Sequence, residues 1–280
     1  MRRWAAHHFI TRVFVLVPSL AAASFGAFAS CHDETDPCAA LFGRPNANTG
    51  LTADQCKPSC ACGDAYAPPT YDSAFVGALV TDWTLTTPFA PIDIDPYASP
   101  APTPDPPDTV CAVLPQAPPG TVPRPYTLVT YPSMDAARAA GASPTNYGHC
   151  GACSTLADLA VYIREEDLGA KARACGFVGL TDGGAANVAC LEAVGFDHPC
   201  AQAWYWDTLN TRNHCLGVCL ATPAAPYQEP DGALNPCIQC DEDQSGPIFK
   251  AVAGRTRRNS GLPNALCRPC AEVRPLVHSY

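Results

Sequence analysis

Seventeen cysteines in 280 residues constrain this fold more than any other feature. A pair closed into a disulfide stabilises mainly by restricting the unfolded chain, typically by about 2–4 kcal/mol. Cysteine density of this kind marks small exported domains that cannot bury a large core. Residues 1–30 read as the matching export leader. Arg2, Arg3 and Arg12 make its positive start, and residues 13–17 and 20–29 make an apolar stretch interrupted by Pro18. That stretch is too short and too broken for a membrane span, which takes about 20 apolar residues.

Two cuts compete. Ordinary processing after Ala27-Phe28-Ala29 leaves seventeen cysteines and one odd thiol. Removal of the leader before Cys31, with that sulfur modified, leaves sixteen, an even number. Phe28-Ala29-Ser30-Cys31 resembles a bacterial lipobox, with Phe28 where an aliphatic residue is usual. The resemblance implies diacylglycerol and an N-acyl chain on Cys31, holding the protein to a membrane of a bacterial cell envelope, at the outer membrane or cell surface. The ordinary cut implies a secreted protein.

Loss of Arg2, Arg3 and Arg12 takes the formal charge from −9 to −12, since no acid precedes residue 31. An acidic balance of that size argues against nucleic acid as a partner and against charge-driven docking on anionic lipid. The expected partners are a membrane, through the lipid anchor, and an anionic small molecule or glycan; no cofactor or metal is expected.

After the leader the chain divides into three parts. Residues 31–65 form an irregular cysteine-rich module with Cys38, Cys56, Cys60 and Cys62, an even set able to close on itself. Residues 66–125 form a proline-rich linker or strap, with thirteen prolines between Pro88 and Pro125. Proline fixes φ and removes a donor, which disfavours helix and central strand. Cys111 lies inside this part and eleven cysteines lie beyond it, so Cys111 is expected to bond into the last part.

Residues 126–280 are expected to fold as a small, mainly α, disulfide-rich domain. Its cysteines are Cys150, Cys153, Cys175, Cys190, Cys200, Cys215, Cys219, Cys237, Cys240, Cys267 and Cys270. Residues 126–131 suit a short strand. Ser133 suits an N-cap for a helix over 134–140 stopped by Gly141. Thr155-Leu156-Ala157-Asp158 is a capping-box-like start, followed by Leu156, Leu159, Ala160 and Ile163 at helical spacing. Further helices are predicted over 185–194, from Pro199 to about 217, from Asn235-Pro236 through 244, and over 247–253.

Several constellations bear on chemistry. Cys150-Gly-Ala-Cys153 precedes a capped helix, where a thiolate is favoured. Paired disulfides with distant partners are one reading. The motif also resembles the thioredoxin pattern, without its βαβ context, and Gly148 to Cys153 resembles the active-site stretch of papain-like proteases. That second resemblance implies Cys153 as nucleophile, with His214 closer in sequence than the family's spacing allows and Ser154 in place of the usual aromatic residue. Cys237-x-x-Cys240 and Cys267-x-x-Cys270 have the form of a zinc site, but behind an export leader the spacing favours disulfides. Glu242, in Glu-x-x-Ser-Gly, resembles lysozyme-like general acids, with Asp241 or Asp243 as second carboxylate.

Six of the fourteen basic residues beyond the leader fall within 250–274. Arg255, Arg257, Arg258 and Ser260 are the candidate contacts for an anionic ligand, against internal pairing with Asp241 to Asp243. Trp204, Tyr205 and Trp206 suit either a sugar-stacking platform or core filling. As a whole, the stretches 148–162 and 237–261 resemble an uncharacterised family of secreted cysteine-rich proteins. The expected function is a membrane-anchored extracytoplasmic binding or structural module. The alternative is a secreted enzyme, thiol-dependent through Cys153 or glycan-hydrolysing through Glu242.

Overall fold

All sixteen cysteines from Cys38 onward pair in the computed structural model, which describes residues 37–280. Cys31 and the leader lie outside the described residues. Eight disulfides mark the protein as extracytoplasmic. Among the described residues no helix is long and apolar enough to cross a membrane.

The pairing corrects the expectation that the first four cysteines close on themselves. Cys38 bonds Cys62, but Cys56 bonds Cys267 and Cys60 bonds Cys270. A small sheet explains the crossing. Strand β1 (Leu41–Phe42) pairs in parallel with β2 (Cys56–Lys57) and antiparallel with a strand near the chain's end, Arg268–Pro269. That register sets Phe42 opposite both Lys57 and Arg268, so cysteines about 210 residues apart become neighbours. The boundary placed at residue 65 is bridged twice, and the described residues form one compact unit.

A second sheet changes the fold class from mainly α to mixed α/β. Strands β3 (Trp83–Leu85), β4 (Val110–Pro115), β5 (Arg124–Tyr131) and β6 (Ser143–Tyr147) lie in the order β3-β5-β4-β6; Arg268–Pro269 is β7. Only β3 and β5 run parallel. Strand β4 evades a search for alternation because Val110, Cys111, Ala112 and Val113 are all buried. Val110 and Ala112 pack with Ala137 and Ala142 on one face, and Val113 joins the main core on the other. A strand covered on both faces reads as an unbroken apolar run.

Eight helices occur among the described residues: α1 (Ser73–Thr81), α2 (Met134–Ala139), α3 (Leu156–Arg164), α4 (Leu168–Asp182), α5 (Gly184–Val194), α6 (His198–Ala221), α7 (Pro236–Gln244) and α8 (Gly246–Ala253). Local chemistry sets many of their ends. The Ser133 hydroxyl accepts from the Ala136 amide, Thr155 Oγ1 from the Asp158 amide, and Asn235 Oδ1 from the Ile238 amide, each satisfying a donor the helix leaves open. Helix α3 is the centre of the core: Leu156, Leu159, Ala160, Val161 and Tyr162 are buried against Tyr126, Leu191 and Phe196. Full burial of one such side chain stabilises by about 1.5–3 kcal/mol.

The proline-rich segment is neither free nor structureless. It contains α1, β3, β4 and the start of β5. Its middle is strapped along α6: Gln202 Oε1 accepts from the Ile92 amide at 2.6 Å, and the Trp206 indole donates to the Ile92 carbonyl at 2.7 Å. Cys111 bonds Cys150. Prolines suit this role because the segment makes few backbone bonds of its own.

Candidate functional site

The Cys150-Gly-Ala-Cys153 motif holds no thiol. Cys150 bonds Cys111, and the fully buried Cys153 bonds Cys200. His214 lies on an exposed face of α6. A nucleophile needs a free thiolate, so the protease-like and thioredoxin-like readings both fail. The glycine between the cysteines has a packing role instead. A Cβ on Gly151 would lie 2.5 Å from the Gly254 nitrogen, and Gly254 has φ of +70°. Two chain segments cross at this glycine pair, and the Ala152 and Cys153 amides donate to the Val252 and Ala253 carbonyls at 3.0 and 2.9 Å. The four cysteines with zinc-like spacing are likewise bonded elsewhere, to Cys219, Cys215, Cys56 and Cys60. Among the described residues no group of three or more His, Cys, Asp or Glu is placed to hold a metal ion.

The arginine cluster separates into interior and surface members. Arg255 is fully buried. Its guanidinium donates to the Cys153, Thr155 and Ser154 carbonyls at 2.9, 2.8 and 3.1 Å, and to the Thr145 hydroxyl. Burial pulls its pKa down. Arg257 donates to the Pro263 and Glu165 carbonyls and lies over the Tyr162 ring, and burial brings its pKa down to about 10. The buried Ser260 hydroxyl donates to the Thr256 carbonyl. These three predicted ligand contacts are therefore internal. A planar five-donor fork satisfies carbonyls that a turn leaves unpaired.

Of the four, Arg258 alone lines the largest groove, described below. One of its nitrogens contacts Glu242 at 2.8 Å and another Glu272 at 2.7 Å. Burial lowers its pKa, but the two carboxylates outweigh that and raise it. Arg268 also pairs with Glu242. Both Glu242 carboxylate oxygens are thereby taken up by guanidiniums, an arrangement unlike the open carboxyl of a lysozyme-like general acid. The aromatic trio of α6 serves packing: Trp204 lies 6.0 Å from Phe196 and 4.7 Å from Phe249, and Trp206 holds the strap.

What remains open is a groove of about 1270 Å³ between residues 101–107 of the strap and helices α7 and α8. It meets a smaller cavity of about 170 Å³ at Glu242, Lys250, Arg258 and Arg268. On the strap side, Asp105 accepts from His149 Nδ1 at 2.6 Å and from the His149 amide at 2.9 Å; His149 Nε2 contacts the Ala251 carbonyl at 2.6 Å. Burial would raise the Asp105 pKa, but the bonds from His149 hold it below the usual carboxylate range. This contact pins the strap to α8. On the helix side, Lys250 has no carboxylate within salt-bridge distance among the described residues. Burial, then the neighbouring Arg258, depress its pKa.

Lys250 and Arg268 were not among the sequence candidates. The signal that held them was the basic excess of 250–274 taken as a whole. Residues 184–275, from α5 to the turn that follows β7, match the model of a family of unknown function, DUF8771. No curated protein and no solved structure matches the chain.

Proposed function

We propose that this protein is a lipid-anchored extracytoplasmic binding module whose groove takes an anionic small molecule or glycan. The observation that carries the reading is Lys250: an ammonium without a carboxylate partner, beside Arg258 and Arg268, at the junction of two cavities. Burial and then Arg258 disfavour this ammonium more than Glu242 and Glu272 favour it, so an arriving anion is a gain. The anchor rests on cysteine parity: with sixteen cysteines paired, Cys31 is the seventeenth and sits at the lipobox-like cut.

Calorimetry with a uronic-acid tetrasaccharide and its carboxyl-reduced neutral counterpart tests the groove. The acidic glycan should bind, and Lys250→Gln should weaken it about tenfold, or about 1.4 kcal/mol, more so at low salt. Equal binding of the neutral counterpart, or an unchanged Lys250→Gln, overturns the reading. The anchor is tested by palmitate labelling and N-terminal mass. Label lost in Cys31→Ser supports it; a mature chain that begins before Cys31 ends it.

A further inference from the structure

A second cavity, of about 290 Å³, lies between α4, α6 and α7 and has the opposite chemistry. Its walls are apolar: Phe177 and Leu180 from α4, and Leu209, Leu216 and Leu220 from α6. Phe177 is 60% exposed and Leu220 62% exposed, a large apolar area to leave in water. Its inner polar groups are acceptors. Asp207 is buried, and its only hydrogen bond among the described residues is from the Tyr97 hydroxyl at 3.3 Å. The half-buried Asp241 accepts from the Thr211 hydroxyl. Neither carboxyl has a Lys or Arg nitrogen within salt-bridge distance among the described residues.

An independent orphan lies in the same cavity. Asn187, only 4% exposed, donates to Thr208 at 3.1 Å, while its Oδ1 finds no donor. A buried acceptor left unpaired costs about 1–3 kcal/mol. Arg173 and Arg212 also line the cavity; Arg173 lies over the Tyr227 ring. Arg268 reaches Glu242, on the other side of α7.

We propose that this cavity binds a small amphipathic ammonium compound, its hydrocarbon body along Phe177, Leu180, Leu216 and Leu220 and its N–H donors toward Asp207, Asp241 and Asn187. The match is one of complementary lacks. The walls want apolar area covered, and among the described residues neither Asp207 nor Asp241 has a cation at contact distance, while the Asn187 Oδ1 lacks a donor. This site shares no lining residue with the 1270 Å³ groove, although Asp207 and Asp241 also line the 170 Å³ cavity that holds Lys250 and Arg268.

Burial raises both carboxyls, helped at Asp207 by the charge of Asp241 and at Asp241 by that of Glu242; Asp241 is pushed up to about 6. A cation binds the ionised form, so its affinity should climb as pH rises through about 6 and then level off. The test is calorimetry on the full mature protein with decylamine, decanol and decanoate. Decylamine should bind about fourfold tighter at pH 7.5 than at 5.5 and tighter than the other two at either pH. Asp241→Asn should cost about tenfold in decylamine affinity and flatten the pH profile. Phe177→Ser, at an exposed position that folding tolerates, should weaken decylamine with the profile kept. Equal affinity for decanol, a pH-independent affinity in the native protein, or no effect of Phe177→Ser overturns the proposal.

Discussion

Helix α7 separates two cavities that treat neighbouring carboxyls in opposite ways. On one side Glu242 lies between Arg258 and Arg268 and is charge-compensated. On the other, Asp241 accepts from Thr211 and its charge is felt by the buried Asp207, with no cation at contact distance among the described residues. Consecutive helical residues diverge by about 100°, so one acidic run, Asp241-Glu242-Asp243, serves both sides. The lesson is that a carboxyl's ionisation follows what faces it, not its sequence neighbours. Two disulfides, Cys215–Cys240 and Cys219–Cys237, hold α7 against α6. They fix two like charges at close range, which helix packing alone would oppose.

The comparison breaks most completely if that covalent hold is removed. Replacing Cys215, Cys240, Cys219 and Cys237 with Ser opens loops of 25 and 18 residues. The loss should be about 6 kcal/mol in all, close to a whole domain's net stability, and both ligand affinities should vanish together. Urea unfolding and calorimetry check it; an unchanged midpoint would show that packing, not sulfur, brings the carboxyls together.

A smaller effect distinguishes interior arginine from groove arginine. Arg255→Met strands three buried carbonyls and should cost more than about 3 kcal/mol, while Arg258→Met, whose pairs are partly solvated, should cost about 1 kcal/mol or less. Denaturant midpoints measured side by side decide whether the two classes are real. The pH dependence of stability sharpens the same contrast. A carboxyl whose folded pKa is raised favours the fold at acid pH and loses that contribution as pH climbs from its unfolded value toward the folded one. For Asp241 that window runs from about 4 to about 6. Native stability should therefore fall by about 1–3 kcal/mol across it relative to Asp241→Asn. Smallest of all, Lys250→Gln should leave stability within about 0.5 kcal/mol. A larger change would make Lys250 a structural group.

Much of the helical framework was legible because its cues are short-range. Ser133, Thr155 and Asn235 cap the helices they precede, and Gly195 ends α5 in the left-handed conformation. Helix α4 was hidden by its glycines. Gly176 and Gly179 weaken helix propensity, but they let α4 approach Thr208 and Asn187 closely, and the Cys175–Cys190 bond joins α4 to α5. Strands β3, β4 and β6 were hidden because their sense lies in neighbours far along the chain. Of the site, the basic region was visible, but its members were not. Arg255 and Arg258 look alike in sequence and differ only in whether a turn or a cavity faces them.

By itself, then, the sequence determined the number of cysteines, the oxidising compartment they need, the acidic balance and most helix ends, all matters of composition or of contacts within about four residues. The tertiary structure decided which cysteines bond, which arginines became internal and which carboxyls lost their charge partners. Those outcomes depend on burial and on distances between segments up to 211 residues apart, and both electrostatic strength and desolvation are set by the neighbours that folding supplies.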